Sequence, residues 1–173
     1  YELNQKSEQK EHKSLEYRPI IPPPIKQIDN ELKASIIIPV CNGLEFTKQC
    51  IDSIVEIGAK YKFEIIVIDN NSTDGTQEYL HNLTLNETIK LITNNHAVSY
   101  AKSNNQGAEL AKGKYLVFLN NDTKVRPNWL DNLIEKFKAD DSIGVQGAKL
   151  LYDDSHVQHC GIVYGELKTN LLS

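Results

Sequence analysis

Three short, almost unbroken apolar runs constrain this chain most: SIIIPV at 35–40, EIIVI at 64–68 and YLVFL at 115–119. Apolar runs of this length without polar alternation read as strands covered on both faces, which occur mainly in parallel sheets crossed over by helices. The intervals between them carry helical spacing. Phe46, Cys50, Ile54 and Ile57 mark one face of a helix over Leu44–Ile57. Ser72-Thr73-Asp74-Gly75 reads as a turn with capping residues before a short helix near Thr76–His81. Ile89–Ile92 reads as a third strand, and Ser99–Ala111 as a helix closed by Gly113. Pro127 suits the first position of a helix that turns Trp129, Leu130, Leu133, Ile134 and Phe137 inward. Ile143–Tyr152 and Val157–Tyr164 then read as a strand and its return strand around the turn Asp153-Asp154-Ser155. This alternation predicts an α/β domain with a mostly parallel sheet flanked by helices.

Residues 1–30 differ in kind, being rich in Lys, Glu and Gln and carrying Pro19 and Pro22-Pro23-Pro24, so they read as a polar tail or linker. The domain is expected over 31–173. The first residue is Tyr1 rather than Met, which suits a piece of a longer protein. A net charge of −4 offers no field for steering toward phosphate polymers, so nucleic acid is not the expected partner. Cys41, Cys50 and Cys160 form neither a CxxC pair nor an even set, which argues against a disulfide framework or zinc ribbon and fits a reduced cytoplasm. Sequons at Asn70, Asn71 and Asn121 fall inside the presumed site, and a cytoplasmic location avoids a glycan there. No apolar run reaches the ~18–20 residues of a membrane span, and peripheral membrane association of the full-length protein stays open.

In an open parallel sheet, ligands bind outside the carboxyl ends of the strands. Three such ends are polar here: Cys41-Asn42-Gly43, Asp69-Asn70-Asn71-Ser72 and Asn120-Asn121-Asp122-Thr123. Oxygen-bearing side chains at i and i+2 of a strand point the same way, so Asn120 and Asp122 are expected to reach one hard divalent cation, Mn²⁺ or Mg²⁺. Read alone, the same tetrapeptide also suits a turn and helix cap. Asp69 suits either a cap for the next turn or an acceptor for a base N–H. Lys102 and Asn105, near the start of the helix from Ser99, stand where they could approach a phosphate or simply be solvated. His156-x-x-His159 puts its rings on opposite faces of a predicted hairpin, against a metal pair. Phosphate-loop, dinucleotide-fold and hydrolase-elbow glycine motifs do not occur.

Taken together, SIIIPVCNG at 35–43, EIIVIDNNSTDGT at 64–76, SYAKSNNQGAELAKGKYLVFLNNDT at 99–123 and GAKLLYDDSHVQHCGIVYG at 147–165 resemble glycosyltransferase family 2. The last segment is similar to its rhamnosyltransferase-like subgroup. The resemblance implies a GT-A (Rossmann-like) fold and an inverting transfer from a UDP- or dTDP-sugar to a saccharide or glycolipid acceptor, in bacterial surface polysaccharide synthesis. It places the donor along Pro39, Val40, Cys41, Asn42, Asp69, Asn71, Lys102, Asn105 and Asn121. Asp69 would accept from the imide N–H of the base, and Asp122, with Asn120, would hold the metal. Here Asn120 stands where many members carry Asp, Cys41 where an aromatic residue is common, and Ser99 where Gly is frequent.

The family's general base lies on an acidic motif of the acceptor-binding half, beyond the hairpin at 147–165, and no residue of this sequence is assigned that role. The domain is thus expected to be incomplete at its C-terminal end. Two other classes remain: a non-catalytic nucleotide-sugar-binding module, and a metal-dependent nucleotidyltransferase. The latter should carry a Gly-rich cationic loop after its first strand, whereas CNGLEF has no cation.

Overall fold

The computed structural model describes residues 29–160. The chain runs through β1 (Asp29–Val40), α1 (Leu44–Ile57), β2 (Tyr61–Asn70), α2 (Thr76–Leu85), β3 (Lys90–Asn94), α3 (Tyr100–Leu110), β4 (Tyr115–Phe118), α4 (Trp129–Ala139), β5 (Leu150–Leu151) and β6 (Val157–His159). The first four strands form one parallel sheet in the order β3-β2-β1-β4, and β5 and β6 form a separate antiparallel pair. This is the α/β arrangement that the apolar runs predict.

The reason lies in β1, whose Ile36, Ile37 and Ile38 are all 0% exposed. Successive strand residues face opposite sides, so an unbroken isoleucine run needs a cover on both. One cover comes from α1, α2 and α4, which bring Cys50, Ile51, Ile54, Leu80, Leu83, Leu130 and Ile134 against Ile36, Ile38, Val40 and Val67. On the other side Ala108 and Ala111 pack near Ile37, Ile66 and Ile68. Each such isoleucine contributes about 1.5–3 kcal/mol by leaving water. The close approach of α3 depends on Gly107, since a Cβ there would sit 2.5 Å from Ile37 Cγ2.

Several elements depart from the pattern read along the chain. β1 starts at Asp29, pairing that residue with Tyr61, so the strand reaches back into the polar segment; the rest of the expected tail, 1–28, lies outside the described residues. β4 is covered on one face only, with Leu116 45% and Phe118 52% exposed, because on the Ile37 side of the sheet the covering helix α3 packs against β1 and β2. Helix α1 has the expected bounds, yet Phe46 is 60% exposed while Thr47, Ile51 and Ser53 face the core. Pro127 precedes α4 by two residues, and Asn128, at φ 63°, takes the N-cap position without a side-chain hydrogen bond to the helix. Within 143–152 only Leu150–Leu151 is strand, and the return strand is described as Val157–His159 with 161–164 outside the described residues.

Gly113 does not close α3 through a left-handed cap; that helix ends on Ala111 in an extended conformation. Instead Gly113 passes the middle of β1, at Ala34 and Ser35, at contact distance, its N–H donating to Ser35 Oγ at 2.9 Å. Ser35 Oγ in turn donates to Glu64 Oε1 at 2.6 Å, which also accepts from the Lys112 N–H at 2.7 Å. Burial pushes the Glu64 carboxyl up, but hydrogen bonds from Lys90, Ser35 and Lys112 outweigh it and hold the group below its ordinary range. This knot ties β1, β2 and the α3–β4 connection at the end of the sheet remote from the polar loops.

Candidate functional site

The parallel register brings the polar strand ends together. Val40, the last residue of β1, pairs with Asp69 of β2, and Asn70 pairs with Asn94 at the end of β3. Beyond them the first two loops are laced across each other. The Asn42 N–H donates to Ser72 Oγ at 2.7 Å, and the Thr73 N–H donates to Asn42 Oδ1 at 2.7 Å. Asn42 and Asn71 hold left-handed backbones, φ 60° and 61°, a region asparagine enters more readily than most residues. Asn121, half-buried, joins the third loop to the first by donating to Thr47 Oγ1 at 3.0 Å and to the Asn42 carbonyl at 3.5 Å.

Asp74 was legible only as a turn residue, but it binds the loops together. Its Oδ2 accepts from the N–H groups of Gly43 and Leu44 at 2.7 and 3.0 Å, satisfying the start of α1 from another loop. Its Oδ1 accepts from Thr76 Oγ1 and N at 2.6 and 3.2 Å, doing the same for α2. The Thr76 hydroxyl first, then the backbone donors, hold its carboxyl down at about 2. A carboxyl depressed in the folded state stabilises fully above its ordinary value of 3.8, and that contribution disappears as pH falls toward about 2. Asp74→Asn should therefore lower the melting temperature at neutral pH and flatten its decline between those two values. Thermal unfolding across that range checks this; parallel curves for the two proteins would contradict it.

Asp69 is 0% exposed and both of its oxygens accept from the Ser72 N–H, at 3.2 and 3.4 Å. It thus caps its own turn, and those two contacts leave lone pairs on both oxygens for a further donor. On the opposite, α3-covered face of the sheet sits a polar cluster missed in the sequence: Asn70 Nδ2 donates to Ser103 Oγ at 2.9 Å, Asn94 Nδ2 to Asn70 Oδ1 at 2.9 Å, and Gln106 Nε2 to Asn94 Oδ1 at 3.0 Å. The cluster locks the first turn of α3 to the ends of β2 and β3. Its only signal in the sequence was an unusual density of amides after apolar runs.

The loop after β4 does not continue the strand. The Thr123 N–H donates to the Asn120 carbonyl at 3.2 Å, closing a turn over Asn120–Thr123, so strand alternation does not govern where Asn120 and Asp122 point. Asn120 and Asp122 are both exposed. Asp122 makes no hydrogen bond or ion pair among the described residues, and no group of three His, Cys, Asp or Glu is gathered among them. A free carboxylate beside an amide fits the chemistry of Mg²⁺ or Mn²⁺, which commonly take one or two carboxylates and fill other positions with water and phosphate oxygens. The Asp122 charge also reaches Cys50, whose thiol burial pushes up to about 12 against the opposing Thr123 backbone hydrogen bond.

Of the remaining predicted residues, Pro39 and Val40 are buried at the end of β1, while Cys41 is exposed with its Sγ 3.6 Å from the Asn70 carbonyl. Lys102 and Asn105 lie exposed on α3; the Lys102 N–H donates to its cap Ser99 Oγ at 3.3 Å. No hydrogen bond or ion pair joins either side chain to the other predicted residues among those described. His156 pairs with Asp154 at 2.9 Å on the exposed hairpin, and His159 stands on β6.

Residues 35–158, well over half of the chain, match the family model for glycosyl transferase family 2. The chain belongs to this family. The family 2 domain is 34% identical over 77% of this chain to the O-antigen biosynthesis protein RfbC of Myxococcus xanthus, of which it covers 10%. It is 30% identical over 78% of this chain to an uncharacterized glycosyltransferase of Haemophilus influenzae, of which it covers 41%. It therefore spans well under half the length of either relative. Among solved structures, S. aureus TarS 1-349 matches with a TM-score of 0.57 at 18% identity, over 69% of this chain and 39% of that one. GalNAc-T7 with UDP, GalNAc and Mn²⁺ matches with a TM-score of 0.57 at 25% identity, over 65% of this chain and 22% of that one. The fold of the family 2 domain is thus the GT-A arrangement. No helix among its described residues is long and apolar enough to cross a membrane.

Proposed function

We propose that the family 2 domain binds a UDP- or dTDP-sugar along the carboxyl edge of its sheet, and that the protein carrying it transfers the sugar, with inversion, to a saccharide or glycolipid acceptor in surface polysaccharide synthesis. One observation carries the reading: in a family 2 domain, the buried Asp69 carboxylate and the free Asp122 carboxylate stand at the ends of β2 and β4, the strands on either side of β1, and the loops of both are fastened to the loop after β1. The relative named for O-antigen biosynthesis and the neighbour holding UDP, GalNAc and Mn²⁺ support it. Asp69 reads the base through its imide N–H, and the backbone of Pro39–Asn42 with Asn71 flanks the nucleoside. Lys102, Asn105 and Asn121 line the same edge. A divalent cation held at Asp122, with Asn120 beside it, neutralises charge on the departing diphosphate when bound. Residues ahead of β1 take no part in binding, so a chain starting at Asp29 should bind as the whole chain does.

Base reading supplies the test. Uracil N3 carries a proton and cytosine N3 does not, so calorimetric titration should show UDP binding at least about tenfold tighter than CDP, the worth of one charge-assisted hydrogen bond. Asp69→Asn retains an acceptor for the Ser72 N–H but adds an amide donor, and should narrow or reverse that preference. Equal affinity of the unmutated protein for the two nucleotides would remove the role assigned to Asp69.

A further inference from the structure

The Tyr100 hydroxyl donates to Asn120 Oδ1 across 3.0 Å, joining the first residue of α3 to the loop after β4. Both side chains are exposed, yet both backbones are held. The Asn120 carbonyl accepts from the Thr123 N–H at 3.2 Å and weakly from Cys50 Sγ at 3.6 Å. The Tyr100 carbonyl accepts from Nδ2 of the buried Asn104 at 3.0 Å. The hydrogen bond therefore sets which end of the Asn120 carboxamide faces a ligand. The Tyr100 bond takes one of the two lone pairs of that oxygen and turns the oxygen toward Tyr100, so the NH₂ group is the end of the carboxamide left without a partner among the described residues. An amide NH₂ has no lone pair available for a cation, but it suits an anionic phosphate oxygen. Asp122, two positions on, keeps the only free carboxylate of this loop among the described residues.

We propose that Tyr100 is a positioning residue that holds Asn120 as a hydrogen-bond donor to the nucleotide's diphosphate, leaving the cation to Asp122. This rests on the nucleotide-sugar reading above. It accounts for an amide where a second carboxylate would otherwise be expected: the pair divides the work, one neutral group for the anion and one charged group for the metal.

The test titrates UDP calorimetrically into the protein over a series of Mn²⁺ concentrations, yielding the metal-free UDP affinity and the Mn²⁺ half-saturation point. Asn120→Ala should weaken metal-free UDP binding about tenfold while leaving the Mn²⁺ point within about twofold. Tyr100→Phe, which keeps the ring and loses only the hydroxyl, should weaken metal-free binding about threefold to tenfold without raising the Mn²⁺ point. Asp122→Ala should do the opposite, raising the Mn²⁺ point and sparing metal-free binding. A residue that only stabilises the loop would move the melting temperature, the metal-free affinity and the Mn²⁺ point together. If Asn120→Ala raises the Mn²⁺ point as far as Asp122→Ala does, Asn120 is a ligand and the proposal falls. Unchanged metal-free affinity in Tyr100→Phe overturns the positioning role. An unmutated protein that binds no UDP overturns the underlying reading instead, and is distinguishable because no variant is then needed.

Discussion

Gly113→Ala is expected to destabilise the domain by roughly 3 kcal/mol or more, toward the upper end of what overpacking costs. A Cβ at this position would lie 2.4 Å from the Ala34 carbonyl carbon, 2.6 Å from the Ser35 nitrogen and 2.8 Å from the Ala34 Cα. All three are backbone atoms of the most deeply buried strand, and none can rotate aside. Relief requires the α3–β4 connection to move away from β1, which breaks the Gly113 N–H bond to Ser35 and pulls on the Glu64 knot. With a total stability of ~5–15 kcal/mol for domains in general, such a loss is a large share, and should appear as a drop of about 10 °C or more in melting temperature. Gly107→Ala gives the comparison. Its Cβ would meet Ile37 Cγ2 at 2.5 Å and Ile68 Cδ1 at 2.9 Å, which are side-chain atoms able to shift, and alanine recovers ~1 kcal/mol of helix propensity. The Gly107 variant should therefore lose only about 1–2 kcal/mol. Denaturant titration of both variants measures the difference, and a Gly113 variant as stable as the unmutated protein would mean that the connection does not lie against β1.

Asp122→Ala is expected to lower kcat/KM for sugar transfer by the protein carrying this domain by ~10²–10³-fold, since stabilising a departing diphosphate through a metal is worth several kcal/mol at ~1.36 kcal/mol per decade. Folding should be untouched, because the exposed Asp122 side chain makes no hydrogen bond or ion pair among the described residues. Asp141→Ala, another exposed carboxylate in the segment after α4, serves as the control for simple loss of surface charge. Both variants should melt together while only one loses activity. Adding Mn²⁺ in excess should restore part of the rate to Asp122→Ala if water can take the vacated position. Full activity in Asp122→Ala would remove this residue from the site.

The order of strands and helices, the bounds of α1 and the identity of the polar strand ends could all be read along the chain. Each depends on short-range periodicity: an unbroken isoleucine run demands two covers, and a strand end that turns from apolar to Asx residues marks where the sheet meets solvent. Family membership was legible for the same reason, since its motifs are those strand ends in sequence. Long-range matters were not. Phe46 shares the helical stripe of α1 yet faces outward, because the groove above the sheet is filled by Ile51, Ile54 and the α4 residues Leu130 and Ile134. The run 143–149 offers only Ile143 and Val145 as strand-favouring residues and pairs with no strand among the described residues, since two β-branched positions do not supply a neighbour.

A parallel α/β sheet, the edge on which its polar loops gather, and the residue types available there all follow from the order of residues along the chain. What those residues do to each other follows from their arrangement in space. Asp74 caps a helix that begins 30 positions earlier, Gly113 is required by a strand 78 positions away, and Tyr100 orients an amide 20 positions on. None of these pairings leaves a periodic trace, because a hydrogen bond or a steric contact depends on distance in space, and that distance exists only once the sheet has set the register between β1, β2 and β4.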